Sequence, residues 1–302
     1  MYVVTGATGN TGKVVAERLL AQGKKVRTLS RSAEHLQALA AKGAEPFVAD
    51  VSDAAALTKA FTGAEGVYAM VPPNVVTSDV RGYQDRVTDA IAGALENAKA
   101  GIKHAVTLSS FGADKPDKTG PVVGLYQLEQ KLNRLAGLNL LHLRAGYFME
   151  NMLGQVGIIQ AFGMTAGPLR ADLKLPLIAT RDIGEAAAAA LAKLDFSGHQ
   201  TRELLGQRDL DMTEATAIIG KAIGKTDLQY VQLPDAQLRP ALLQLGMSAN
   251  FVDLLLEMSG SLNSGHMRPL EQRSSRNTTP TSFETFVAEA FVPLYKQKTS
   301  AA

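Results

Sequence analysis

The chain has 302 residues, a formal net charge of +2, 46% apolar residues, no Cys and no Trp, enough to bury the core of one large or two unequal domains. The missing Cys excludes disulfides, thiolate nucleophiles, iron–sulfur clusters and cysteine-held zinc, and the five His show no ligand spacing. Acidic and basic residues are interspersed, which argues against nucleic-acid binding; Met1 leads straight into a strand and no apolar run nears the roughly 18 residues of a membrane span, so a soluble cytoplasmic protein is expected.

Residues 1–5, Met-Tyr-Val-Val-Thr, predict a short strand, and Gly6-Ala7-Thr8-Gly9-Asn10-Thr11-Gly12 follows at once. Residues 13–22 then place Val15 and Leu19 on one helical face, Gly23 stops the helix, and 24–30 read as a second strand. A strand feeding a glycine-rich turn that opens a helix is where a dinucleotide pyrophosphate rests on backbone amides and the positive helix end. The spacing G-x-x-G-x-x-G differs from the common G-x-G-x-x-G in a first turn one residue longer.

Further strands are predicted at 46–49, 66–71, 104–108 and 140–143, with helices at 53–61, from the Pro72–Arg81 loop to about Lys99, and at about 122–135. Six short strands separated by helices predict an α/β fold, a Rossmann-type doubly wound parallel sheet with ligands at the carboxyl ends of its strands. Past residue 150 the alternation breaks. Helices are predicted near 152–162, 185–194, 212–223 and 238–256, extended segments at 173–178 and 230–233, a polar flexible stretch at 260–280, and a last helix at 282–295. The expected division is a dinucleotide-binding domain over 1–150 and a smaller, mostly helical lobe over 151–302, with a return of some of its segments to the sheet left open. Leu242, Leu245, Phe251, Leu254 and Leu255 fit a substrate lid, a partner groove or ordinary core.

The second strand ends Leu29-Ser30-Arg31-Ser32 with no acid at its tip. An acid there would take the ribose 2′-hydroxyl of NADH, whereas Arg31 offers a guanidinium fork to the 2′-phosphate of NADPH. NADPH is therefore preferred to NADH, with Ser30 and Ser32 as added donors; Arg27 is the alternative if the strand ends earlier. Asp50-Val51 fits a contact to the adenine amino group, or Asp50 caps the next helix.

The chain resembles the NmrA-like group of atypical short-chain dehydrogenases/reductases, which includes quinone-reductase and triphenylmethane-reductase-type members. The matching pieces are the run from Val4 to Gly12, Val26 to Arg31, Leu108-Ser109-Ser110-Phe111-Gly112-Ala113 and Leu143-Arg144-Ala145-Gly146-Tyr147-Phe148-Met149-Glu150-Asn151. Weaker echoes are Arg181 to Gly184 and Pro280 to Phe283. The resemblance implies that Gly6 to Gly12 surround the pyrophosphate, Arg31 the 2′-phosphate, and Met70-Val71-Pro72 and Gly146-Tyr147-Phe148 the ribose and nicotinamide.

Members of the wider superfamily reduce carbonyls with a Tyr and a Lys four residues later. Here Tyr126 is followed by Gln130, with Lys131 about 100° further round the helix, and the lone Lys that NmrA-like proteins often carry before the counterpart of Glu129 is missing. Two readings follow. In one, a hydride passes from NADPH to a flat, electron-poor acceptor such as a quinone or dye, with Tyr126, Ser109 or Ser110 hydrogen-bonding the developing oxyanion and Tyr147 and Phe148 forming an aromatic wall. In the other, the chain is a non-catalytic NADP(H) sensor acting through a regulatory protein partner; a homodimer is open in either. Tyr126 also fits an ordinary helix position, and the two Ser a turn after their strand. No metal is expected.

Overall fold

The structure is a computed structural model that describes residues 1–98 and 101–300. Its first half alternates as expected: β1 (Tyr2–Val4), α1 (Asn10–Ala21), β2 (Val26–Ser30), α2 (Gln37–Ala40), β3 (Glu45–Val48), α3 (Ala54–Phe61), β4 (Gly66–Ala69), α4 (Val80–Asn97), β5 (His104–Ser110), α5 (Val123–Leu132) and β6 (Asn139–Ala145). The expected helix end at Lys99 lies outside the described residues. Beyond β6 come β7 (Tyr147–Phe148), α6 (Gln155–Phe162), β8 (Thr165–Gly167), β9 (Leu175–Ile178), α7 (Thr180–Lys193) and β10 (His199–Leu204). The remainder is β11 (Asp209–Leu210), α8 (Met212–Ile223), β12 (Tyr230–Gln232), α9 (Asp235–Gln244), α10 (Ala249–Asn263), α11 (Phe283–Phe286) and α12 (Val292–Ser300).

The central sheet has seven strands, one more than the sequence predicts, in the order β10-β6-β5-β4-β1-β2-β3. Every neighbouring pair is parallel, so each connection must cross over, and the helices cover both faces. The seventh strand, β10, comes from beyond residue 150 and pairs with β6 from His199↔Leu140 to Leu204↔Ala145.

Strand alternation assigns the two faces. Val4, Val106 and Leu141 pack with Val15 and Leu19 of α1 and Ile183 and Leu191 of α7. Val3, Val67 and Ala105 pack with Phe61 of α3, Ile91 and Leu95 of α4 and Leu128 of α5. Full burial of such side chains is worth about 1.5–3 kcal/mol each, so the sheet is a stiff base for whatever its edge presents. The chain lays down β1, β2 and β3 outward, then crosses back to place β4 on the other side of β1. That reversal opens a crevice at the carboxyl ends of β1 and β4.

A second layer covers that end of the sheet. β9 pairs with β7 in parallel and with β11 antiparallel, and β12 pairs with β8. Its own apolar cluster includes Met152, Ile159, Leu177, Ile219, Phe283 and Phe291. The stretch 260–280, expected to be flexible, is pinned instead. α10 continues to Asn263, the buried Glu203 carboxylate accepts from the Leu270 and Glu271 amides, and Arg273 donates to the carbonyls of Leu205 and Gly206. A buried carboxylate needs such donors, and the loop supplies them. Among the described residues no helix is long and apolar enough to cross a membrane.

Candidate active site

β1 ends in the glycine turn. Gly6 takes φ +60°, a left-handed value that suits glycine, and its carbonyl accepts from the Gly9 amide at 2.9 Å. A Cβ on Gly12 would lie 2.3 Å from the same carbonyl, so only hydrogen fits where α1 meets the turn. α1 opens at Gly9 with no side-chain cap and no acid in its first turn. Its first N–H groups thus have no side-chain cap, an arrangement that suits an anion and that the helix dipole also favours. Tyr68 of β4, fully buried, donates to the Thr11 hydroxyl at 2.9 Å, and the Met70 amide donates to the Thr5 hydroxyl at 3.1 Å. These bonds tie the turn to β4 across the crevice. Met70 lies over the turn, its sulfur 2.8 Å from where a Gly6 Cβ would stand.

At the next strand end, Arg31 is exposed, and among the described residues no acid lies within ion-pairing distance of it. Arg27, near the start of β2, is engaged elsewhere, donating to Glu45 at 2.8 Å and to the carbonyls of Ala60 and Thr62. Ser30 accepts from the Ser32 amide. Asp50 does not cap α3, because Asp53 does, accepting from the Ala56 amide at 3.0 Å. Asp50 instead takes the Ser52 hydroxyl at 2.7 Å and the Ser52 amide at 2.8 Å, and these bonds, with the Arg31 charge, hold its carboxyl below the usual range. Burial, and the Asp50 charge beside it, push the Tyr83 phenol up. Arg31, Asp50 and Tyr83 thus share one corner, while Val51 packs half-buried behind it.

Beside this corner lies a cavity of about 310 Å³. Met70, Val71 and Pro72 line one side and Gly146, Tyr147 and Phe148 another. α10 roofs it with Phe251, Leu255, Met258 and Leu262, a stripe spaced 4, 3 and 4 residues apart, which is one face of a helix. The roof is fastened to the loop after β4: the Ser248 amide donates to the Val75 carbonyl at 2.9 Å, and Asn250 accepts from the Val80 amide at 2.9 Å. At its side Gly120 accepts from Arg81 at 2.6 Å and donates to Glu257 of α10 at 3.1 Å.

The NmrA-like family profile matches residues 2–287. The chain belongs to the NmrA-like family. A curated relative from Streptomyces griseus, (4-alkanoyl-5-oxo-2,5-dihydrofuran-3-yl)methyl phosphate reductase, is 30% identical over 245 residues, 80% of each protein. The solved structure of the Escherichia coli NADPH-dependent quinone oxidoreductase QOR2, complexed with NADPH, is 26% identical, with a TM-score of 0.78 over 98% of this chain and 100% of that one. Citrobacter sp. triphenylmethane reductase complexed with NADP(H), at 19% identity and a TM-score of 0.75 over 96% and 99% of the two chains, shares the fold.

In this NmrA-like protein the three residues expected to meet the acceptor's oxyanion fare differently. Tyr126 is half-buried on α5, one position past Leu125, and does not line the cavity. Ser109 lines it, but its hydroxyl donates to Glu129 at 2.6 Å. Glu129 is in turn held by two bonds from Arg144, at 3.0 and 2.6 Å. Burial opposes the Arg144 charge, and the Glu129 bonds more than offset it, leaving the guanidinium pKa above its usual value. Ser110 also lines the cavity and donates to the Phe111 carbonyl at 2.9 Å. Both serine protons are committed. On the adjoining strand His142 takes the Thr107 hydroxyl at 2.6 Å on Nδ1 and meets the Asn133 amide oxygen from Nε2 at 3.1 Å; burial lowers its pKa to about 4, keeping the ring neutral.

The sequence reading missed the cavity's remaining polar groups: Asn74, Tyr83, Gln84 and Asn151. Tyr147 hydrogen-bonds Asn151, while burial raises its phenol pKa. Gln84 sits on α4 where Gly124 of α5 leaves room, and donates to the Pro121 carbonyl at 2.8 Å. The sequence placed Tyr83 and Gln84 in the long helix before Lys99 without showing that they meet a cavity. Leu245, which the sequence grouped with the lid leucines, is 75% exposed and stands off the roof.

Proposed function

We propose that this protein is an NADPH-dependent reductase that delivers a hydride to a flat, electron-poor acceptor such as a quinone. The observation that carries this reading is the adjacency of a helix start with no side-chain cap, an exposed Arg31 with no ion-pair partner among the described residues, and an apolar cavity lined by Met70. Gly6 to Gly12 would hold the pyrophosphate, Arg31 the 2′-phosphate, Asp50 and Val51 the adenine side, and Met70 to Pro72 with Gly146 to Phe148 the nicotinamide end. When bound, NADPH supplies the hydride. The chain's part is to orient the two partners beneath the apolar roof of α10 and hydrogen-bond the acceptor; water at the mouth of the cavity supplies the proton that Tyr126 is not placed to give. The reductase named for Streptomyces griseus and the quinone oxidoreductase of Escherichia coli support the same reaction class.

Purified protein mixed with NADPH and a panel of quinones should consume NADPH. Tight NADPH binding without turnover of any acceptor would overturn this reading and favour a cofactor sensor.

A further inference from the structure

We propose that the acceptor is an uncharged, carbonyl-bearing aromatic molecule, and that the cavity rejects both anionic acceptors, such as phosphate esters and sulfonates, and cationic dyes. This rests on the reductase reading and narrows it. Among the described residues, none that lines the cavity carries a formal charge. Burying an ion there without a counter-ion would cost most of the binding energy.

The nearest charges are turned to other tasks. Arg81 spends its guanidinium on the Gly120 carbonyl with Glu257 and Asp85 close by, and Glu257 accepts from the Gly120 amide. Glu129 and Arg144 neutralise each other behind Ser109. Arg31 stands at the cofactor corner with Asp50. What the cavity does offer is amide and phenol groups, among them Asn151, Asn74 and Tyr83, which suit a neutral carbonyl oxygen. The phosphate ester named for the Streptomyces griseus relative would find no cation, despite 30% identity. In the reaction, a quinone gains a hydride from NADPH and a proton from water, giving the hydroquinone and NADP+.

The test uses menadione, a ring-sulfonated naphthoquinone and malachite green, each titrated into the protein bound to 1,4,5,6-tetrahydro-NADP, whose ring is uncharged and gives up no hydride, and each supplied with NADPH. Menadione should bind at least about 100-fold more tightly than either charged probe, with the same order in kcat/KM. Leu255→Arg, which puts a cation in the roof, should tighten the sulfonated probe about tenfold, and Leu255→Gln should not. Equal affinities for neutral and charged probes, or no binding of menadione, would overturn the proposal. Selective binding of menadione without NADPH consumption would sink the reductase reading and leave the charge selectivity standing.

Discussion

The two ends of the crevice are built from different material. At the Gly6–Gly12 end the shape is made by backbone: a left-handed glycine, a helix start without a cap, and a contact only hydrogen can fill. At the cavity end it is made by side chains from segments far apart in the chain, Met70, Ser109, Phe148 and Phe251 among them. A backbone-built site accepts few substitutions and binds a constant ligand. A wall of apolar side chains changes shape with each replacement, so such a fold can keep its cofactor while its acceptor varies.

That contrast is open to attack, beginning where the largest effect is expected. Gly12→Ala forces a Cβ against the Gly6 carbonyl; overpacking of this kind costs about 3 kcal/mol, so NADPH affinity by calorimetry should fall about 100-fold. An unchanged Kd would mean the turn is more pliant than its contacts suggest.

The sheet beneath both ends should respond to pH. The His142 pKa is about 4 in the fold against an ordinary 6.5. The unfolded chain therefore takes up the proton first, and stability present above pH 6.5 is lost as the pH falls toward 4, by about 3 kcal/mol in total. Urea midpoints across that window should show the decline, and His142→Gln should flatten it. A slope that survives the substitution belongs to another group.

Arg31→Ala comes next. Losing a charge-assisted bond to the 2′-phosphate should weaken NADPH about 10- to 100-fold and NADH less than about threefold. Equal losses would place the phosphate elsewhere. The smallest change is expected at the roof, where Phe251→Ala should raise the quinone KM about fivefold and leave the NADPH Kd within about twofold. A matching loss of NADPH affinity would erase the distinction between the two ends.

The same contrast explains what could be read from the chain. The geometry of Gly6 to Gly12 is a local signal, since its meaning lies in neighbours a few residues away, and the expectation for Arg31 rests on the same kind of signal. Tyr126 was singled out for a spacing rule, yet the orientation of α5 turns Leu125, not Tyr126, to the cavity. Ser109 looked free to donate because its partner, Glu129, is 20 residues away in sequence. β10 was missed because His-Gln-Thr-Arg-Glu-Leu lacks apolar alternation, as befits a strand at the sheet edge.

That edge strand also orders events during synthesis. Until residues 199–204 emerge, β6 presents Leu140, Leu141 and Leu143 on an unpaired border open to any passing strand. Even then Glu203 waits for Leu270 and Glu271, and Asp182 for Thr281. The first half of the protein is thus completed by its last third, so a nascent chain stalled before that point is the form most exposed to aggregation.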